Sequence, residues 1–145
     1  MRKFIGKWIP TDIAYYMHLD NPDVIKALQY RFKGLAIIYG IRCQYNGIRC
    51  QYNGMMYIGS TLSPALRFHK HLNTGERSNE ALQADIVKYG LGKFTVHVFK
   101  EVTFPPNTSY SDKKALLFKE EQHYLDLIPA KRRYNAINVS STGSK

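Results

Sequence analysis

Glu121 is an acid in an apolar stripe, and it is the first residue with chemistry to explain. From Ser111 the chain reads as a helix, and at 100° per residue Leu117, Tyr124, Leu125 and Ile128 fall on one side of it with Glu121 among them. Burying an unpaired carboxylate is expensive, so Glu121 must be protonated, salt-bridged or bound to a metal ion. Glu120 lies off the stripe centre and reads as solvated. On an earlier helix Arg67 and His71 are four residues apart and share a face, where an arginine and a histidine side by side can grip a phosphate; a solvated basic face is the plainer alternative. His69 and His71 form an HxH pair, but residues two apart on a helix point in different directions, so a zinc site there is not expected.

These groups need a scaffold. Residues 1–34 read as a polar and aromatic extension in which Asn21-Pro22-Asp23 opens a short helix, Asp23 to Phe32, ended by Gly34, with no chemistry in it. Leu35-Ala36-Ile37-Ile38-Tyr39 reads as a buried strand, and Met55-Met56-Tyr57-Ile58 as a second one after the turn pair Asn53-Gly54, the two forming a hairpin. Ser63 as cap and Pro64 at the first position predict a helix to Leu72. A second helix runs from Asn79 or Glu80 with Leu82, Ile86 and Tyr89 at helical spacing and Gly90 as its stop. Phe94, Val96 and Val98 alternate with Thr95, His97 and Phe99, the period of a half-buried strand, closed by Pro105-Pro106-Asn107. The last helix, capped by Ser111 or Asp112, runs to Leu127 before Pro129. The order is β-β-α-α-β-α.

Composition narrows the partners. The 145 residues suit one domain, 44% of them hydrophobic, and 21 Lys and Arg against 11 Asp and Glu leave a net charge of +10, a field that concentrates polyanions. Nucleic acid is the leading partner class. Cys43 and Cys50 supply neither a disulfide framework nor a CxxC zinc site. No apolar run reaches the roughly 18 residues of a membrane span, and Met1 to Pro10 lacks the apolar core of a secretory signal, so a soluble intracellular protein is expected. Arg2, Lys3 and Lys7 could open an organellar transit peptide, against which Asp12, Asp20 and Asp23 argue.

Tyr57-Ile58-Gly59-Ser60-Thr61, followed by Arg67 and His71, resembles the second motif of GIY-YIG nucleases and the helix after it. Ile86-Val87-Lys88-Tyr89-Gly90, Phe94, Glu121-Gln122-His123-Tyr124 and Tyr134-Asn135 then occur in the order of that family. The likeness covers residues 35 to 138, with a polar tail, 139–145, beyond it. Ile37-Ile38-Tyr39 stands where the family has Gly-Ile-Tyr, so one glycine is lost, and Met55 replaces the lysine that often follows Asn-Gly. The resemblance implies an α/β (α+β) fold, a three-stranded antiparallel sheet flanked by helices. It also implies roles. Tyr39 and Tyr57 would face the scissile phosphate, with Tyr39 helping to deprotonate the attacking water; Arg67 would stabilise transition-state charge; His71 would assist by hydrogen bonding; Asn135 would order the site from the C-terminal side; and Glu121 would hold Mg²⁺ or Mn²⁺. A tyrosine, with its ordinary pKa of about 10, serves as a base at neutral pH only where positive charge favours the phenolate, which Arg67 and the metal could supply. Mg²⁺ accepts a single carboxylate while keeping waters and phosphate oxygens.

Gly40-Ile41-Arg42-Cys43-Gln44-Tyr45-Asn46 recurs without change as Gly47-Ile48-Arg49-Cys50-Gln51-Tyr52-Asn53. The repeat lengthens the hairpin between the two tyrosines. Either the extra copy loops out and Tyr39 keeps its place, or the second copy takes the strand and Asn46 falls where Tyr39 should be. Looping out keeps the core pattern, and loop entropy grows slowly with length.

The expected function is therefore a metal-dependent endonuclease of the homing, intron-encoded type acting on DNA more than RNA. Such proteins usually add a separate DNA-binding region, absent from this sequence, so specificity is expected to be weak or partner-dependent. A mitochondrial location follows from the same resemblance alone. The rival reading is a catalytically impaired nuclease-derived binding protein, as in an RNA-protein assembly such as a ribosome; a basic protein with no site would need every motif to be coincidence.

Overall fold

The computed structural model describes residues 10–44 and 54–135. The N-terminal stretch supplies a short strand, β1 (Ala14–Tyr16), and a helix, α1 (Pro22–Arg31). α1 opens one residue before the expected Asp23, because the Asn21 side chain accepts from the Asp23 N–H and Pro22 sits where a missing N–H costs nothing. The apolar run becomes β2 (Ala36–Cys43), and the chain returns as β3 (Met56–Thr61). Next come α2 (Pro64–His69), continued by a wider π-helical turn over Lys70–Thr74, and α3 (Glu80–Tyr89). A strand, β4 (Phe94–Val102), and a long helix, α4 (Tyr110–Leu127), complete the order. The α+β expectation holds.

The sheet has four antiparallel strands in the order β1-β4-β2-β3, one more than expected. The added strand is β1, three residues long and too short to show a period in the sequence. It pairs Ala14 with Val98 and Tyr16 with Val96. His97 anchors it from the sheet: its Nδ1 lies 2.7 Å from the Asp12 carboxylate, while Arg42 Nε donates to its Nε2 at 3.3 Å. α1 buries Ile25 and Leu28 in the same core, and Gln29 donates to the Ala65 carbonyl of α2 at 2.8 Å. The stretch that carries no chemistry in its sequence thus supports the helix that bears Arg67.

β4 lies between β1 and β2, and helices cover both faces of the sheet. Tyr39, Ile41, Tyr57 and Val98 pack with Phe68, Leu72 and Leu82 on one side; Ile38, Ile58 and Phe99 pack with Leu117 and Leu125 of α4 on the other. Phe94 to Phe99 are therefore all buried, not alternately exposed as the period suggested. A bulge falls where Ile38 faces Lys100 and Tyr39 faces Val98, leaving Phe99 as the extra residue. Helix caps differ by small steps: Ser109, rather than Ser111 or Asp112, caps α4, and Ser63 makes no side-chain cap to α2.

The hairpin decides which copy of the heptapeptide occupies the strand. Gly40, Ile41 and Arg42 of the first copy pair with Ile58, Tyr57 and Met56. The Cys43 N–H donates to the Met55 carbonyl at 2.9 Å, and the Gly54 N–H donates to the Cys43 carbonyl at 3.1 Å. Gly54 has a left-handed φ of 87° beside this pair, and Asn53 of the expected turn pair lies outside the described residues. Tyr39 keeps its register, opposite Gly59, and the second copy, residues 47–53, lies outside the described residues. Deleting 47–53 should therefore leave the fold intact. Cutting the chain between the paired Cys43 and Gly54 from ten residues to three should raise stability by about 1 kcal/mol, because less entropy is lost in bringing those ends together. Urea unfolding of the two chains checks this; a large loss of stability in the shortened chain would mean that the second copy is part of the folded structure.

Candidate active site

Tyr39 points from β2 onto the face covered by α2 and α3, and Tyr57 joins it from β3; both are fully buried. Their ring centroids are 6.3 Å apart. Tyr39 can lie this close to β3 because its cross-strand partner, Gly59, has no side chain: a Cβ there would sit 2.5 Å from the Tyr39 hydroxyl and 2.9 Å from the Tyr57 ring. Phe68 of α2 packs edge-on against Tyr39 at 5.0 Å and fixes the ring from the other side.

Arg67, one residue before Phe68, lies close enough to both phenols for its charge to act on each. Its Nη1 also donates to the Arg77 carbonyl at 3.0 Å, a carbonyl aimed by the left-handed backbone at Arg77, φ 52°. His71 is expected to share a face with Arg67, and it does so from a wider turn. The helix passes from α to π geometry at Lys70 and, capped by Gly75 at φ 75°, ends at Thr74, two residues beyond the expected Leu72. His71 is thereby buried, its Nε2 2.7 Å from the Tyr39 hydroxyl and its Nδ1 2.6 Å from Ser78 Oγ.

Two pKa shifts follow from this packing. Burial, then the neighbouring Tyr57, hold the Tyr39 phenol well above its ordinary range; Arg67 works the other way and Glu121 adds to the rise. Burial, reinforced by Arg67, pushes His71 down to about 3, so the imidazole is neutral at physiological pH.

Glu121 is fully buried in α4, as its place in the stripe required, with Leu117 and Leu125 buried beside it. The Ser60 hydroxyl of β3 donates to its Oε1 at 2.6 Å. Glu121 thus approaches the sheet from the face opposite α2, close enough for its charge to be felt at Tyr39. Glu120 lies outside the stripe and accepts from Lys100 at 3.0 Å. Asn135 acts on the backbone: its amide accepts from the Ile58 N–H and donates to the Ile58 carbonyl, both at 2.8 Å, and so pins the outer edge of β3 between Tyr57 and Gly59, next to the bridge of Met56 to Arg133. Among the described residues no group of three or more His, Cys, Asp or Glu could enclose a metal ion.

The sequence-predicted residues fall into three sets. Tyr39, Tyr57, Arg67 and His71 form one cluster, Glu121 reaches its edge through Ser60, and Asn135 stays behind the strand. Sequence reasoning missed Ser60, Ser78 and Gln83. Ser78 reads from sequence as an ordinary residue before the cap Asn79, and Gln83 as a polar position on α3; neither type nor spacing marks them as partners of a histidine.

No family model matches the chain, and no solved structure matches it. Among curated proteins the chain is similar to one from Neurospora crassa described as "Probable intron-encoded endonuclease 1". The two are 33% identical over 138 residues, 94% of this chain and 42% of that protein. The chain therefore spans less than half the length of that relative.

Proposed function

We propose that this chain is a GIY-YIG endonuclease of the homing, intron-encoded type, hydrolysing phosphodiester bonds of DNA with the help of one divalent metal ion. One observation carries the reading: two phenols, a guanidinium and a neutral imidazole, drawn from β2, β3, α2 and the turn after it, converge in a single cluster on a chain of net charge +10. The similarity to an intron-encoded endonuclease along 94% of the chain supports it.

In this reading Arg67 directs its charge to the phosphate and stabilises the charge that grows there in the transition state. Tyr39, once its own proton has passed toward His71 Nε2, 2.7 Å away, takes a proton from the attacking water. Tyr57, like Tyr39, acts on the charge of Arg67. Glu121 would hold Mg²⁺ or Mn²⁺. A carboxylate steadied by a hydroxyl on one oxygen fits an ion that takes most of its ligands from water and phosphate. When bound, that ion supplies Lewis acidity to the phosphate and the leaving oxygen. Asn135 keeps β3 in place.

The test is nicking of supercoiled plasmid by the chain and by the version lacking 47–53, each with Mg²⁺ and with EDTA. Nicking that appears with Mg²⁺ and disappears with EDTA in both versions supports the proposal. Cutting by the shortened version alone would make the duplication an inactivating one. DNA binding without cutting by either would leave the nuclease-derived binding protein as the reading.

A further inference from the structure

Ser78 and Gln83 surround His71 on the side away from Tyr39. The Gln83 amide donates at 2.8 Å to the His71 carbonyl and, at the same distance, to Ser78 Oγ. Ser78 therefore has one lone pair taken, and it lies 2.6 Å from His71 Nδ1. Tyr39 and His71 are buried, whereas Ser78 is partly exposed. The three polar groups thus form an unbroken line from a buried phenol to the surface: Tyr39 Oη, the two nitrogens of His71, and Ser78 Oγ.

We propose that Ser78, held by Gln83, is the outlet of a proton wire that empties Tyr39 into solvent through His71, an inference that rests on Tyr39 acting as the base of the site. The Tyr39 O–H bond breaks as a bond forms to His71 Nε2; the Nδ1–H bond breaks as a proton arrives on Ser78 Oγ; the Ser78 hydroxyl gives its own proton to water. The imidazole ends neutral with its other nitrogen protonated, and the tyrosine ends as a phenolate accepting from His71 Nε2–H and Arg67. A relay is required because His71, buried beside Arg67, cannot keep a second proton at neutral pH. The other groups facing Tyr39 divide: Tyr57 of β3 and Glu121 of α4 oppose the phenolate, and Arg67 of α2 favours it. Ser78 and Gln83 are positioning residues, acting on the reaction only through His71.

The experiment compares the full chain with Ser78→Ala, Ser78→Thr and Gln83→Leu. It uses ¹⁵N NMR of the histidine ring at pH 8 and the pH profile of Mg²⁺-dependent nicking. At rest His71 should carry its proton on Nδ1, donating to Ser78. Ser78→Ala leaves that N–H without its acceptor, so the ring should switch to the Nε2–H tautomer while staying neutral. Nicking should fall by about 10²-fold, with its rise displaced to higher pH. Ser78→Thr should restore both signals, and Gln83→Leu should give an intermediate loss. An unchanged tautomer together with an unchanged pH profile in Ser78→Ala overturns the wire. So does a wild-type His71 that rests as Nε2–H or as imidazolium. If no version cuts DNA while the tautomer still follows Ser78, the nuclease reading fails and the hydrogen-bonded line stands; if the chain cuts and the tautomer does not follow, the reverse holds.

Discussion

Glu121→Gln is expected to fold like the parent chain and to lose nicking activity by roughly 10³-fold, since the Lewis acidity of a held metal ion contributes several kcal/mol and each 1.4 kcal/mol is about tenfold. The amide keeps an oxygen for the Ser60 hydroxyl, which now donates to Glu121 Oε1 at 2.6 Å, so the packing of α4 on β3 survives while the charge is gone. Glu121→Ala also opens a gap in the face where Leu117 and Leu125 pack, and its losses mix stability with chemistry. Two measurements separate the effects: the urea midpoint, which should move little for Gln, and nicking across a Mg²⁺ series. The substitution has a second signature. The Glu121 carboxylate is one of the influences that raise the Tyr39 phenol, so its removal should bring that phenol down, read by the ultraviolet titration of tyrosine. Wild-type cutting by Glu121→Gln would remove the metal-ligand role. It would leave Glu121 as a structural acid bonded to Ser60.

Gly59→Ala should be strongly damaging. A Cβ at Gly59 would lie 2.5 Å from the Tyr39 hydroxyl oxygen, 2.6 Å from the ring carbon that bears it and 2.9 Å from the Tyr57 ring. No positive φ is involved, so the requirement for glycine here comes from close approach. Tyr39 cannot yield easily: it is fully buried, with Phe68 against one edge and His71 against its hydroxyl. Forced accommodation of an extra methyl in such packing costs about 1–3 kcal/mol, and a displacement of about 1 Å at a reacting group costs roughly 10²-fold in rate. Thermal unfolding should show the first and plasmid nicking the second. The 2.7 Å contact between Tyr39 and His71 should lengthen, which the His71 ring signals in ¹⁵N spectra would report. Full activity and an unshifted His71 signal in Gly59→Ala would show that the ring finds another place without consequence.

Much of this protein is legible in its residues because the signals are local. Glu121 stands out through helical periodicity alone, and its burial beside Leu117 and Leu125 follows from the same angle of 100° per residue. The spacing of Arg67 and His71 puts them on one face, and Asn79 and Gly90 mark the ends of α3 by their capping chemistry. The alternation of Phe94 to Phe99 gives the correct assignment of faces in β4. The charge of +10, a field that concentrates polyanions, is read from composition alone.

Tertiary structure alone decided the rest, because each remaining feature depends on groups far apart in the chain. β1 exists only by pairing with β4, 80 to 84 residues away, and the depth of β4 depends on helices packed on both faces of the sheet. The choice between two identical heptapeptides cannot be read from their sequences; it rests on the pairing of Gly40, Ile41 and Arg42 with β3, which keeps Tyr39 opposite Gly59. The π turn that buries His71 and the line from Tyr39 to Ser78 likewise come from packing against α3 and β2. Residue type and spacing determined which groups could do chemistry, whereas distance, burial and the charge of neighbours determined which of them meet and in which protonation state.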